Sequence, residues 1–370
     1  MQITAVQTDS EFDDLRPIWE ALVERDPLAS VFQTFDWQRT WWHHYRGDRR
    51  LYILLAREAG EVVAILPLYR MKRPLRGLGH ADGLLLIGHG GDTTPDYLGA
   101  VALPEFAELA AQGFVQHLLA IADWHVIEIA DMRHESPLLA RLRDSKLRFG
   151  MSRDVAESAK IFYINLPKSW EAYLATLTHN QRSQFRHARK RFLELPGARL
   201  YLSEDPAELP RLIDALIDLH HQRWKGKGEK HAFASAQYVS FHRELMQRFM
   251  ERGWLRMYCM ELKGRLIAVD YCYAFRDTHY AFQCGFDPEF SKLSPGNCLL
   301  GYAIQRAIEE GRAVFDLLRG EHDYKKRWAR EVRVTHSVWI YRPSLPAVLH
   351  RLLRRVLPGL KQSLRVHLSR

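Results

Sequence analysis

The sequence predicts a mixed α/β fold on the strength of three observations. Short apolar runs of strand length alternate with longer segments whose apolar residues recur at helical spacing. Two pairs of these runs flank the tight turns Ala59-Gly60 and Lys263-Gly264, which is typical of β-hairpins. From Ala198 onward the predicted element order is β-α-α-β-β-β-α-β-α-β, which indicates an α+β arrangement around a mixed sheet.

The first part of the chain contributes helices, a hairpin and two further strands. Helical spacing is found in "SEFDDLRPIWEALVERD" and "FDWQRTWWHHY", and "RLYILLAREAGEVVAILPLYRM" forms the predicted hairpin. A glycine-rich loop is predicted from about residue 73 to 96, and a helix from about 105 to 122. The segments "HVIEIADM" and "KIFYIN" are predicted strands.

The second part gives a longer and more regular series. Two helices are predicted within residues 170–194, the second starting at the N-cap residue Thr178. A strand, two helices and three strands follow, and then the helix "GNCLLGYAIQRAIEEG", which ends at Gly311. The series closes with the strand "AVFDLLRG", the short helix "HDYKKRWARE" and the strand "VRVTHSVWIYR".

The amino-acid composition limits the classes of protein to which the chain can belong. The 370 residues are 47% hydrophobic and 26% charged, which is a globular composition with room for two domains. No stretch approaches the roughly twenty apolar residues of a membrane span, and the N-terminus lacks the layout of a secretory signal. The four cysteines include no CxxC pair, so we expect packing roles for them and no metal. The expected location is the cytoplasm.

The net charge of +9 is concentrated in the C-terminal tail. Residues 332–370 contain eight Lys and Arg residues and no Asp or Glu. Within residues 346–370, leucines at helical spacing alternate with basic residues, which predicts a basic amphipathic helix interrupted at Pro358-Gly359. Two interpretations stay open: peripheral contact with the inner face of a membrane, or docking on the protein itself or on a partner.

Five segments carry a resemblance to a known family. They are "LTHNQRSQFRHARKRFLE" (177–194), "LHHQRWKGKGE" (219–229), "LIAVDYCYAF" (266–275), "YAFQCGFDPEFSKLSPGNCLL" (280–300) and "FDLLRGEHDYKKRW" (315–328). Together they resemble GNAT-superfamily acyltransferases of the CelD/BcsL (BioF2-like acetyltransferase) type, which are related to the FemAB transferases. The resemblance implies the GNAT acyl-CoA N-acyltransferase fold, as two tandem GNAT-like units. The expected domains are a degenerate GNAT-like unit at 1–160, a GNAT acyltransferase domain at 161–345 and the tail at 346–370.

In that family the acyl-CoA lies between the fourth and fifth strands, and the loop after the fourth strand holds its pyrophosphate. Here the loop has one glycine where the family pattern has two small residues, and Pro295 removes one amide donor. The residues expected to bind the acyl-CoA co-substrate are Gln283, Lys292, Ser294, Gly296 and Asn297. The alternative is a plain strand-to-helix turn with proline near the helix start.

The resemblance also supplies candidates for the chemistry. Tyr324 occupies the place where many relatives hold the acid that protonates the leaving sulfur; a packing tyrosine is the alternative. Asp316 and Glu321 are the catalytic carboxylates we assign, and His322 and Asp270 are further candidates for the base. Asp316 lies within apolar "VFDLL", where burial would raise its pKa, or where it would pair with Arg319 or Lys325.

Acceptor binding is assigned to four residues. Trp224 and Lys225 belong to the segment between two helices that lines the acceptor site in this fold; a disordered surface loop is the alternative. Arg182 lies on a helix face with Arg186, Arg189 and Lys190, which suits phosphates or is a solvated basic face. Asp270 is the fourth, with an ordinary buried hydrogen-bonding role as its alternative.

Three functional hypotheses follow. The first is an acyl-CoA-dependent N- or O-acyltransferase whose acceptor, by family context, is an amino sugar or sugar hydroxyl in exopolysaccharide or envelope biosynthesis. The second is a FemAB-like transferase that uses aminoacyl-tRNA, favoured by the basic helix and the altered loop. The third is a non-catalytic accessory protein that binds membrane or nucleic acid; no dedicated nucleic-acid motif is present.

Overall fold

The computed structural model describes the backbone of residues 1–224 and 232–367, and side chains except those of 224–231 and 357–370. The chain divides into two compact units: unit 1, residues 1–159 and 334–370, and unit 2, residues 160–333. The sequence-based boundaries placed residues 334–345 with the second domain and 346–370 in a separate tail, whereas both segments lie in unit 1. Among the described residues, no helix combines the length and apolar character that a membrane span needs.

The N-terminal elements come first. The helices up to residue 151 are Asp9–Asp14 (α1), Arg16–Arg25 (α2), Phe35–Tyr45 (α3), Ala107–Ala120 (α4) and Pro137–Asp144 (α5). The strands are Gln2–Val6 (β1), Arg50–Glu58 (β2), Glu61–Pro74 (β3), His80–Leu86 (β4), Val101–Ala102 (β5) and Val126–Arg133 (β6). Strand β4 lies where the sequence predicted only a glycine-rich loop; the prediction missed it because Gly83 interrupts its apolar run.

The remaining elements match the predicted series. The strands are Ser152–Asn165 (β7), Ala198–Ser203 (β8), Leu255–Leu262 (β9), Arg265–Phe275 (β10), Thr278–Phe286 (β11), Val314–Arg319 (β12) and Glu331–Tyr341 (β13). The helices are Trp170–Thr176 (α6), His179–Leu193 (α7), Leu209–Trp224 (α8), Ala236–Glu251 (α9), Pro295–Glu309 (α10), Asp323–Trp328 (α11) and Leu345–His367 (α12). Helix α12 is assigned through Pro358, where an interruption was predicted.

Unit 2 is built on a six-stranded mixed sheet in the order β8-β9-β10-β11-β12-β7. All neighbours are antiparallel except β11 and β12, which run parallel. Strand β10 alternates between faces: Cys272 packs in the core with α7 and α10, whereas the rings of Tyr271 and Tyr273 meet side chains of α9. Helices therefore pack on both sides of the strands that carry the site.

The sheet of unit 1 repeats this topology. Its order is β1-β2-β3-β4-β6-β13, again antiparallel throughout except for one parallel pair, β4 and β6, at the same place. Strand β5 pairs with β3 outside this series. Two units of one topology confirm the predicted tandem arrangement.

Two glycines allow close packing in unit 2. A Cβ at Gly301 of α10 would lie 2.1 Å from the ring of Phe185 in α7, so the two helices approach closely only because the residue has no side chain. A Cβ at Gly285 of β11 would lie 2.9 Å from the backbone of α8. These contacts fix α7, α8 and α10 around the end of β11.

Candidate active site

The cavity of unit 2 opens where β11 and β12 part. The two strands pair from Thr278 and Val314 only as far as Tyr280 and Asp316, although both continue beyond that point. A register shift between Tyr271 and Cys272 in the β10–β11 pair marks a β-bulge close to the same place. The resulting cavity of about 580 Å³ is bounded by α7, β10, β11, α10 and α11. The expected separation of the fourth and fifth strands is therefore present.

Seven of the predicted site residues line this cavity: Asp270, Gln283, Lys292, Ser294, Gly296, Asn297 and Tyr324. They come from four separate stretches of sequence. The fold brings them together because β10 and β11 are neighbours, and because the loop after β11 and the helix after β12 lie at the same end of the sheet.

The loop from β11 to α10 is shaped by Ser294. A 3-10 turn at Pro288–Leu293 leads into Ser294, which has φ 52° and ψ 52°, a left-handed conformation that costs a non-glycine residue free energy. Helix α10 then begins at Pro295. The N–H of Gly296 lies in the first turn, where no acceptor exists within the helix, and there is open space beside its Cα. An anion can approach the backbone here.

Asn297 is held by the protein itself. Its Oδ1 accepts a hydrogen bond of 3.1 Å from Trp328 Nε1. The Trp328 ring in turn stacks parallel to Tyr173 and meets the edge of Phe185. The Asn297 side chain therefore joins α10 to α11 in the cavity wall, and a direct contact with a co-substrate stays a prediction.

Asp270 is the buried carboxyl group of the cavity. Only 5% of its surface is exposed. Burial raises the pKa of Asp270 to about 7, although a hydrogen bond from Cys272 and the positive charge of Arg223 oppose the shift. A carboxyl group with this pKa can exchange a proton near neutral pH, which is the property required of a general base.

Tyr324 lines the same cavity as Asp270 and keeps its proton. Desolvation, together with Cys284 and Asp270 nearby, raises the pKa of Tyr324 well above its ordinary value. The ring stacks on His322, at 5.8 Å between centroids. The residue as a whole is 39% exposed, although its hydroxyl is desolvated. This combination suits a proton donor.

Positive charge surrounds the cavity. Its lining includes Arg191 from α7, Arg223 from α8, Lys292 from the loop and Arg327 from α11. Arg223 donates to the carbonyl of Cys284 (3.2 Å), and its guanidinium lies 4.9 Å from the centre of the Phe286 ring. A cavity with cations around it favours a ligand that carries phosphate groups.

Three predicted residues do not line the cavity. Asp316 is fully buried and accepts the backbone N–H of Leu318 at 2.8 Å, within a turn that Lys325 holds by donating to the Leu318 carbonyl at 3.0 Å. Glu321 is exposed and pairs with Lys160 at 3.4 Å. Arg182 donates to the Leu174 and Leu177 carbonyls at the end of α6, at 3.1 and 2.6 Å.

Of the remaining predictions, Lys225 and the side chain of Trp224 lie outside the described residues. Sequence reasoning also missed the cavity-facing side of α7. That side consists of Gln181, Gln184, Ala188 and Arg191, spaced as one helical face. The prediction was based on positive charge and therefore selected the face of Arg182 and Arg186. The cavity-facing side is marked instead by a row of polar residues that includes one alanine.

Comparison with known proteins gives a domain match and several similarities of fold. Residues 179–326 match the model of the acetyltransferase (GNAT) domain family. Among curated proteins, none matches the sequence significantly. Many solved structures are similar to the chain, and three that cover almost all of it are described next. Each of these similarities is one of fold at low sequence identity.

The first of these is the crystal structure of FemX (TM-score 0.63, 13% identity, 95% of this chain and 100% of that chain). The second is the C-terminal domain of a putative lysylphosphatidylglycerol synthetase from Agrobacterium fabrum (0.56, 11%, 95% and 97%). The third is L-PGS from Bacillus licheniformis (0.55, 14%, 94% and 96%). The chain thus has a GNAT fold, and the residues that match the acetyltransferase (GNAT) domain model lie within unit 2.

Proposed function

We propose that unit 2 is an acyltransferase that moves an acyl group from acyl-CoA to an amine or hydroxyl acceptor. One observation carries the proposal: a single cavity joins the start of α10, the buried carboxyl of Asp270 and the hydroxyl of Tyr324. The first suits a pyrophosphate, the second a proton acceptor and the third a proton donor. The matched acetyltransferase domain covers the same residues.

The proposed reaction begins with the acceptor. Asp270 takes a proton from the attacking amine or hydroxyl, whose nitrogen or oxygen then forms a bond to the thioester carbon. Backbone N–H groups of β11 near its bulge stabilise the oxyanion of the tetrahedral intermediate. When the carbon–sulfur bond breaks, Tyr324 gives its proton to the departing thiolate and is reprotonated from water. Asp270 releases its proton to solvent, which completes the cycle.

The acceptor is proposed chiefly on family context. The CelD/BcsL-type resemblance favours an amino sugar or a sugar hydroxyl used in exopolysaccharide or envelope biosynthesis. The cations around the cavity fit this class when the sugar carries a phosphate, since Arg191 and Arg327 then supply charge-assisted hydrogen bonds.

A second candidate is an aminoacyl-tRNA-dependent transfer of the FemAB kind. Pro295 removes an amide from the loop that would hold the pyrophosphate of CoA, and cations surround the cavity as a polynucleotide would require. The fold similarity to FemX is compatible with this donor and with acyl-CoA alike.

Two substitutions at Gly296 test the donor site. The open space beside Gly296 admits a side chain, and an acidic residue in the first turn suits the helix dipole, so Gly296→Glu should fold. Its charge faces the proposed pyrophosphate and should weaken acetyl-CoA binding, measured by calorimetry, at least about tenfold relative to the isosteric control Gly296→Gln.

Each outcome assigns a donor. Tight binding to the native protein and to Gly296→Gln, with loss in Gly296→Glu, supports acyl-CoA at the start of α10. Equal binding by both variants would place CoA elsewhere. No binding of acetyl-CoA by the native protein, together with salt-sensitive binding of aminoacyl-tRNA, would replace the proposal by the second candidate.

A further inference from the structure

The outer face of α12 carries an apolar stripe. It consists of Leu345, Val348, Leu352 and Val356, which are exposed by 71%, 51%, 53% and 53%. The spacing i, i+3, i+7 and i+11 places the four side chains along one side of the helix. Scattered exposed aliphatic residues are ordinary, but an aligned row on one helix is a candidate contact surface.

The opposite side of α12 is anchored to unit 1. Ala347 is buried against Val126 and Tyr341. Arg354 donates to the Tyr341 hydroxyl at 2.9 Å, and its guanidinium lies over the ring of Trp339 at 4.0 Å. The basic residues of this helix therefore face the protein more than the sequence pattern indicated, and the apolar side is turned to solvent.

A cluster of arginines fixes that orientation. Arg351, Arg354 and Arg355 all pair with Asp154, whose side chain is 10% exposed. Burial opposes ionisation, but hydrogen bonds from these arginines lower the pKa of Asp154 to about 2. Three positive charges against one negative leave the cluster at +2, and Arg355, more than half exposed, lies beside the stripe.

The positive charge of the C-terminal region indicates which kind of partner the stripe can bind. Residues 332–370 contain no acidic residue, so the stripe belongs to a wholly cationic segment. A second copy of the chain would bring the same positive charge against it, which is repulsive. A stable homodimer also needs about 800 Å² from each partner, more than four half-exposed aliphatic side chains provide. An anionic lipid surface accepts both the apolar row and the cations.

We propose that α12 docks unit 1 onto the surface of an anionic lipid bilayer. The stripe enters the boundary between headgroups and acyl chains, while the arginine cluster on Asp154 holds the helix against the protein and supplies positive charge at the headgroup level. The contact is peripheral, since the aliphatic row covers one side of the helix only.

Vesicle sedimentation tests this surface with the full-length chain. Vesicles of phosphatidylcholine and phosphatidylglycerol should bind the native protein, and vesicles of phosphatidylcholine alone should bind it much more weakly. The double variant Val348→Glu, Leu352→Glu should lose binding at least about tenfold, because two apolar contacts become like charges facing the lipid. Leu109→Glu, which changes an exposed leucine of α4 in the same unit, is the matched control and should bind as the native protein does.

Both glutamates replace exposed residues, and circular dichroism of each variant verifies its fold. Should the double variant be misfolded, the milder pair Val348→Ser, Leu352→Ser takes its place and should still weaken binding. The proposal would be overturned if the folded variant bound vesicles as well as the native protein does. It would also be overturned if the native protein bound both kinds of vesicle equally, or bound neither kind. A native dimer that the double variant converts to monomer would assign the stripe to a second copy instead.

Discussion

Units 1 and 2 have the same strand order and the same parallel pair, but the space beyond that pair is open in unit 2 and filled in unit 1. In unit 2, β11 and β12 part after Tyr280 and Asp316, and a cavity opens. In unit 1, the paired stretch of β4 and β6 ends at Leu85 and Glu128. There the connecting segment folds back into the gap. The fold alone therefore does not create a binding site.

The segment after the fourth strand of each sheet explains the difference. In unit 2 it covers residues 287–294 and leads directly into α10; in unit 1 it covers residues 87–106, more than twice as many. The N–H of Leu98 donates to the Asp131 carbonyl of β6 at 3.1 Å, and the Leu98 side chain lies against Gly88. Thr93 Oγ1 accepts from Trp41 Nε1 at 2.7 Å. In unit 1, protein atoms therefore fill the space that corresponds to the open cavity of unit 2.

The acidic residues differ as well. Both units bury a carboxylate at the last paired position of the fifth strand, Glu128 in one and Asp316 in the other. The titrating group Asp270 lies instead on the third strand, β10. Its counterpart β3 is apolar from Val62 to Leu68. Unit 1 has no carboxyl group on that stretch, which assigns the proposed chemistry to unit 2.

The largest expected effect is that of Asp270→Asn. If Asp270 is the base, kcat should fall by about 10²–10⁴, and the rise of kcat/KM with pH through about 7 should disappear. Asp277→Asn, at the exposed turn of the same hairpin, is the matched control and should leave both unchanged. A steady-state pH profile that is identical for Asp270→Asn and native protein would remove Asp270 from the mechanism.

Stability gives Asp270 a second readout with a definite sign. The pKa is raised from 3.8 to about 7 on folding, so the native protein binds the proton more tightly than the unfolded chain. The contribution of Asp270 to the free energy of unfolding should therefore fall as pH rises from about 4 to about 7. The Asp270→Asn variant does not lose this contribution as the pH rises. Its free energy of unfolding, measured in urea titrations, should therefore increase relative to that of the native protein over the same pH range.

Glu128→Gln tests the other unit. Burial alone would raise the pKa of Glu128, but a hydrogen bond from His89 and the charge of Arg73, 3.1 Å away, lower it to about 2. Removing the negative charge should cost about 3 kcal/mol of unfolding free energy at pH 7. The native advantage is present above the unfolded pKa of about 4.5 and should vanish as pH falls toward 2. Turnover by the folded variant should match the native value; a loss like that of Asp270→Asn would contradict the assignment of chemistry to unit 2.

Of the two active-site variants, Tyr324→Phe should lower turnover less than Asp270→Asn. Loss of the proposed acid should lower kcat by about tenfold to a hundredfold with acetyl-CoA. Because an aryl thiolate needs no proton to depart, the loss should shrink with an acyl thioester of an aryl thiol. An equal loss with both donors would indicate that the Tyr324 hydroxyl positions the substrate and does not protonate sulfur.

The sequence predicted the element series of unit 2, because local patterns mark strand ends and helix starts. Ser294 and Tyr324 came from the resemblance to a known family, and both line the cavity. The sequence did not select Asp270 over Asp316, since both stand in apolar strands and only the partner strands decide which one faces the cavity. Arg223 and Arg327 were missed for the same reason: they approach the cavity from elements far apart in the chain. The closure of the gap in unit 1 depends on long-range contacts such as that between Leu98 and Asp131, which no local pattern reports.

The most direct test of the contrast between the units is the number of donor sites per chain. Isothermal titration with a non-reactive thioether analogue of acetyl-CoA should give one site per chain, and Gly296→Glu should weaken binding at that site at least about tenfold. This follows because α10 of unit 2 begins at an open cavity, whereas the segment 87–106 occupies the corresponding place in unit 1. Two sites per chain, or one site whose affinity is unchanged in Gly296→Glu, would contradict the account.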